Sequence, residues 1–261
     1  MLSASRPDLF DMKLRAMRRD RAARAGPELF LLERAFEDCL ERVALIGRPF
    51  DRALLIGCPD PSWPDRVPAA EVDVVDPGPL FAASAGGSTV IEDAWMPAAG
   101  GYDLILASGT LDTVNNLPLA LHILRAATRP EGLVIGAMSG GNTLPQLRAA
   151  MRAADAIAGA AAPHVHPRIE PAMVAPLLES AGFVKTVIDV DRVPVSYPNL
   201  GSLIADLRAM GATNILAERP RTSLGKAGRA AAERTFIAGA NGDRATEVFE
   251  IIHFAAWAPA E

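Results

Sequence analysis

The chain has 261 residues, half of them hydrophobic, and 26 Lys and Arg against 31 Asp and Glu give a formal net charge of -5. That length suits one α/β domain with an insertion, and that apolar content excludes wholesale disorder. The acidic balance argues against nucleic acid as the default partner, because binding phosphates needs a basic face.

Two cysteines, Cys39 and Cys58, make neither a disulfide framework nor a four-cysteine metal site. They read as reduced thiols of a cytoplasmic protein. No apolar h-region follows Met1, and no apolar run approaches the roughly 20 residues that span a bilayer, so membrane insertion is not expected.

In chain order, a charged helix is predicted from Asp8 to Arg24, with Phe10, Leu14 and Met17 as its apolar positions. Lys13, Arg15, Arg18, Arg19, Arg21 and Arg24 make it a local basic patch on an acidic chain. Pro27 opens a second helix with an apolar stripe of Leu29, Leu32, Phe36, Leu40 and Val43, stopped by Gly47 and Pro49.

Short apolar runs follow: Ala53–Ile56, Val72–Val75, Thr89–Ile91, Leu104–Ala107 and Leu133–Ala137. Continuous rather than alternating runs suit strands covered on both faces. A helix is expected near Asn116–Thr128 with Asn116 as N-cap, and others near Leu144–Ala158 and Ala172–Ala181. Val184–Val193 reads as a strand, 199–238 as mostly helical, and Glu247–Trp257 as a long last strand. This rhythm predicts a doubly wound, mostly parallel seven-stranded sheet. The expected division is N-terminal helices over 1–48, a sheet core over 49–195, a helical insertion over 196–240 and the final strand over 241–261.

In such a sheet a ligand sits beyond the C-terminal ends of the central strands. The loop after the first strand, Gly57-Cys58-Pro59-Asp60-Pro61-Ser62-Trp63-Pro64, keeps one glycine where nucleotide-binding versions are glycine-rich. Proline has no N–H to give, and Trp63 is large enough to fill a cofactor pocket. Asp76 ends the second strand, 19 residues after Gly57, where a carboxylate can accept both ribose hydroxyls. It reads equally as a turn residue of Asp-Pro-Gly-Pro. Glu92-Asp93 can face an adenine amino group or form a solvated acidic turn. Ser108 and Asp112 can line the pocket after the fourth strand, although Ser108, Thr110 and Asn115-Asn116 also suit loop and cap duty. His164-Val165-His166 with Glu170 has the composition of a metal site, but His-x-His is short and common, and no metal is assigned to it. Cys58 has no basic partner nearby in sequence and reads as a buried thiol.

Several stretches together resemble the complex I assembly factor 5 family of class I S-adenosylmethionine (SAM) methyltransferase-fold proteins, relatives of the malonyl-carrier-protein O-methyltransferase of biotin synthesis. They are Leu9-Phe10-Asp11, Tyr102–Ile105 running to Asn116-Leu117-Pro118, Ile135–Met138, Gly140–Leu144, Pro163-His164 and Ala181–Phe183. The most specific is Tyr197-Pro198-Asn199 with Asp206-Leu207-Arg208, Met210-Gly211 and Asn214, inside the helical insertion. The resemblance covers about residues 8–258.

It implies SAM as cofactor with Gly57, Asp76 and Glu92 as contacts, to which the strand-end positions of Asp93 and Ser108 add two more, with no assigned catalytic base and a complex I subunit as protein partner. Two departures fall on the cofactor and substrate face: the broken glycine motif, and Asp112-Thr113 where relatives place His-Trp. The leading expectation is a SAM-dependent enzyme acting on a protein partner. The alternatives are a non-catalytic assembly or scaffold protein that has lost SAM, and a small-molecule O-methyltransferase.

Overall fold

Ala53–Ile56 and Leu104–Ala107 are apolar at every position because each strand is covered on both faces. Ala53, Leu55, Leu104 and Leu106 pack on one side, and Leu54, Ile56, Ile105 and Ala107 on the other. A computed structural model describes residues 7–238, 240–241 and 243–260. The strands are β1 (Phe50–Ile56), β2 (Ala69–Asp76), β3 (Ser88–Thr89), β4 (Tyr102–Ser108), β5 (Thr128–Ser139), β6 (Val184–Tyr197), β7 (Ala240–Asn241) and β8 (Arg244–Trp257). They form one sheet in the order β3-β2-β1-β4-β5-β8-β6, with the two-residue β7 attached to β8. The pairs among β1 to β5 are parallel, and β8 runs antiparallel to both β5 and β6. Chain order reverses between β1 and β4, which makes their C-terminal ends the place for a ligand.

Helices α4 (Leu117–Ala127) and α6 (Pro171–Ser180) cover one face of the sheet. Helices α2 (Phe30–Ile46), α5 (Pro145–Ala158), α7 (Leu200–Ala209) and α8 (Gly225–Ala238) cover the other. Asn116 caps α4 as expected, its side-chain oxygen accepting from Leu119 N at 3.1 Å. The first turn of α5 is held from across the sheet, where Glu247 of β8 accepts from Gln146 N and Leu147 N. A buried carboxylate there satisfies orphan N–H groups and complements the helix dipole.

Three local expectations and the candidate role of Trp63 are corrected. The first helix, α1 (Met12–Ala25), starts later than Asp8, because Asp11 caps it through Leu14 N and Phe10 is drawn into a bridge with Leu216. Helix α2 starts at Phe30 rather than at Pro27. The third strand is confined to Ser88–Thr89, leaving Ile91 exposed. Between β1 and β2 there is no crossover helix, only the one-turn 3₁₀ segment Pro64–Arg66, consistent with the prolines there. Trp63 packs against α2, stacked on Phe36 with ring centroids 4.1 Å apart and donating from Nε1 to Glu33 at 2.7 Å. It is core on the α2 side, not the plug of a cofactor pocket.

Candidate functional site

The polypeptide brings Gly57, Asp76, Glu92 and Ser108 to the C-terminal ends of the central strands. Gly57 has φ +81°, and a Cβ there would lie 2.3 Å from the Ser108 carbonyl oxygen and 2.6 Å from the Thr110 methyl carbon. Its retention is accounted for by the close approach of β1 to the β4 loop, with no ligand required. Gly57→Ala is therefore expected to cost about 1–3 kcal/mol through overpacking alone, with added strain from the left-handed backbone. Urea unfolding would check it, and a loss below about 0.5 kcal/mol would show that the two loops can separate freely.

Asp76 is fully buried. Its carboxylate accepts from Cys58 N at 2.9 Å and Gly78 N at 2.6 Å, and is gripped by the Arg19 guanidinium, Nε to Oδ1 at 2.8 Å and Nη2 to Oδ2 at 2.5 Å. Burial opposes the charge on Arg19, but the Asp76 carboxylate and then Glu92 outweigh it and hold the guanidinium protonated. Glu92 is also fully buried and takes a two-pronged grip from Arg15, at 2.7 and 2.8 Å, while Arg15 Nη2 also donates to the Thr110 carbonyl at 2.6 Å. Two acids from two strand ends are thus neutralised by two arginines of one helix, four residues apart and on one face. Asp93 accepts from Asn116 N at 2.7 Å and serves the entry of α4. Ser108 is buried, and its hydroxyl has no partner among the described residues.

The buried face of α1 is Arg15, Arg19 and Ala22, while Met17 is 58% exposed. Of the apolar positions Phe10, Leu14 and Met17, the first two pack with Ile215 and Leu216 and only Met17 faces out, while the side turned to the sheet ends is the charged one. Its position is fixed at several points. Asn115 accepts from Phe10 N and donates back to Phe10 O. Asp11 N donates to Ile215 O and Ala217 N to Leu9 O, while Asp20 accepts from Leu80 N in the short helix α3 (Pro79–Ser84). Arg19 lies over the Phe81 ring, 5.1 Å from its centroid. Gly78 permits this approach, since a Cβ there would meet the Arg19 Cβ at 2.7 Å. The arginine pair had one legible signal, two basic residues at i, i+4 in a helix and two isolated acids at strand ends.

What remains open beyond β4 and β5 is a cavity of about 130 Å³, lined by residues that include Arg19, Gly109, Asp112, Ser139, Arg168 and Glu250. Small-molecule sites run from roughly 300 Å³ upward. Asp112 does reach it, but paired with Arg168. His164 pairs with Asp155 at 2.7 Å, whereas His166 Nε2 accepts from Ile215 N at 2.9 Å, so the two imidazoles serve different partners. The Cys58 thiol is pushed up to about 12, by burial first and by the Asp76 carboxylate second. It is not a nucleophile at neutral pH.

No protein-family model matches the chain. The YcgJ protein of Bacillus subtilis superposes with a TM-score of 0.57 at 11% identity, covering 86% of this chain and all of that one. The N-methyltransferase NodS of Bradyrhizobium japonicum, solved with S-adenosyl-L-homocysteine, superposes with a TM-score of 0.50 at 13% identity, covering 94% and 98%.

The chain has the class I methyltransferase fold.

Among curated relatives, the mouse arginine-hydroxylase NDUFAF5, mitochondrial, is 29% identical over 226 residues, covering 79% of this chain and 64% of that protein. The malonyl-[acyl-carrier protein] O-methyltransferase of Xylella fastidiosa is 34% identical over 158 residues, covering 60% and 52%. The chain thus spans less than two thirds of the length of these relatives. By sequence it is similar to proteins named NDUFAF5 and to malonyl-[acyl-carrier protein] O-methyltransferases. Among the described residues no helix is long and apolar enough to cross a membrane. Asp76, at the C-terminal end of β2, has the first helix of its own chain upon it.

Proposed function

We propose that this methyltransferase-fold protein has lost SAM and works as a non-catalytic binding protein, engaging a protein partner in the setting of respiratory complex I assembly. The observation that carries the reading is the pair of buried contacts Arg15–Glu92 and Arg19–Asp76. The two carboxylates best placed for the ribose and adenine of SAM are both taken by guanidinium groups of α1. The residues as they stand do not fit the cofactor.

Supporting features are the proline-filled loop 58–64, which leaves few backbone donors, and the missing crossover helix after it, whose N-terminus would otherwise face a ligand. The partner setting rests on the assembly-factor resemblance and on the relatives named NDUFAF5. Methyl transfer, hydroxylation and small-molecule methylation all need a bound co-substrate that this cleft does not admit.

A competing reading takes Asp76 and Glu92 as cofactor contacts uncovered when α1 swings away. Such a swing would have to break both ion pairs together with the contacts of Phe10, Asp11 and Asp20 that hold α1 in place.

The test is calorimetric titration of the intact protein with SAM and with S-adenosylhomocysteine. No heat of binding is expected at ligand concentrations up to about 1 mM. Micromolar binding that Asp76→Ala abolishes would overturn the reading and make the protein a SAM enzyme.

A further inference from the structure

A second cleft, of about 1100 Å³, opens on the far side of α1 among α5, α7, α8 and the 212–225 segment. Its rim carries Arg18, Arg21, Arg208, Arg221, Lys226 and Arg229, and Glu233 is the one carboxylate among its described lining residues. That carboxylate is already engaged by Arg229 at 2.8 Å.

Several arginines elsewhere on this net-acidic chain are matched with acids, as in Arg34–Asp191, Arg42–Asp38, Arg52–Asp73 and Arg66–Glu33. At the cleft Arg168, Arg219 and Arg229 are matched with Asp112, Asp11 and Glu233, and the remaining cations are not. Among the described residues, no carboxylate lies within ion-pair distance of Arg18, Arg21, Arg208, Arg221 or Lys226. The Nε of Arg18 is buried with no hydrogen-bond partner. Burial, and then the positive charges of Arg21, Arg219 and Arg208, make the protonated form of Arg18 harder to hold than usual. Unbalanced like charges facing one concavity are costly unless an anion joins them.

We propose that this cleft binds an amphipathic small ligand carrying two or more phosphoryl groups on an apolar body. A set of forked guanidinium groups suits bidentate phosphate recognition. A phosphomonoester also brings about two negative charges where a carboxylate brings one, which matches so many cations in a cleft of small-molecule size. The floor supplies the other half of the ligand, with Leu147, Met151, Leu200, Ile204 and Leu207 giving an apolar surface beneath the cationic rim. Because Arg18 and Arg21 stand on α1, whose inner face carries Arg15 and Arg19, ligand bound here also holds α1 in the cofactor cleft by linkage. The proposal rests to that extent on α1 being docked as described above.

The experiment is titration of the intact protein, at low and high salt, with inorganic diphosphate, with geranyl diphosphate and with a hexaglutamate peptide. Geranyl diphosphate is expected to bind in the micromolar range and at least tenfold more tightly than inorganic diphosphate, with both weakened by salt. Arg208→Glu with Arg221→Glu, both on the rim and away from the core, is expected to weaken binding more than tenfold, while Lys13→Glu, outside the cleft on the same helix as Arg18, leaves it unchanged. Thermal melts of the variants establish that they fold. The proposal is overturned by absent diphosphate binding, by equal affinity for the two diphosphates, by binding that survives the double reversal, or by tighter binding of hexaglutamate, which would assign the cleft to an acidic protein segment. SAM titration reads a different cleft. SAM binding would sink the non-catalytic reading alone, and missing diphosphate binding would sink this one alone.

Discussion

Replacing Arg19 with alanine is expected to lower the unfolding free energy by about 3–5 kcal/mol, because it strands a buried carboxylate. Asp76 is fully buried, and its remaining partners are two backbone N–H groups from Cys58 and Gly78. These soften the loss without cancelling a charge. Asp76→Ala should be comparably harmful, since it leaves a buried guanidinium with no carboxylate beside it. The double variant should recover part of the loss, so the cycle returns a coupling energy on the order of 1–3 kcal/mol.

Urea unfolding at neutral pH is the measurement. A loss under about 1 kcal/mol for Arg19→Ala would mean that α1 stands off the sheet in solution and that the two acids face water. The competing enzymatic reading would then regain its cofactor cleft. The same experiment on Arg15→Ala probes Glu92, with the further loss of the Arg15 contact to the Thr110 carbonyl.

Acidification from pH 6.5 to pH 4 is expected to remove up to about 3 kcal/mol of stability through His166 alone. Burial first, and then the positive charge of Arg148, press this imidazole down from its usual 6.5 to about 4. Its Nε2 accepts from Ile215 N, its ring meets Phe10 edge-on at 5.4 Å, and Arg168 stands 3.3 Å from Nδ1. The Ile215 donor and the neighbouring Arg168 cation both favour the neutral ring. The folded pKa lies below the unfolded one, so between the two values the unfolded chain binds the proton and the folded chain does not. Stability is therefore complete above pH 6.5, falls as the pH drops toward 4, and levels off below that. His166→Gln keeps an acceptor for Ile215 N and removes the titration, so the difference between wild type and variant isolates the effect from the carboxylates that titrate nearby. Parallel pH profiles for the two proteins would show that the ring is already solvated in the native state. Because Phe10 and Ile215 anchor the start of α1, the first contacts to loosen should be those holding that helix.

The apolar runs determined the central strands by themselves. Leu54-Leu55-Ile56 and Leu104–Ala107 have no polar face to show water, so they had to be covered on both sides, and the parallel order followed from the helices between later strands. Asn116 was legible as a cap, and Asp76 and Glu92 were legible as strand-end acids, because those features depend on neighbours a few residues away. The short β3 and the missing helix after β1 were not legible, since proline and glycine mark a break without saying what replaces it.

The arginine face of α1 was hidden most completely. Hydrophobic periodicity marks Phe10 and Leu14 for packing but gives no sign that Arg15 and Arg19 are buried as well, because their partners, Glu92 and Asp76, lie 77 and 57 residues away in sequence. A buried ion pair is decided by two desolvated groups meeting, and neither group carries a local sign of the other. The same holds for the basic cleft, assembled from α1, the 164–168 segment, α7, α8 and the 212–225 segment, whose arginines look ordinary until the fold turns them toward one another. The sequence by itself determined the sheet and the acids at its edge. The tertiary structure alone decided that the first helix sits on those acids, because that choice depends on long-range charge pairing rather than on local pattern.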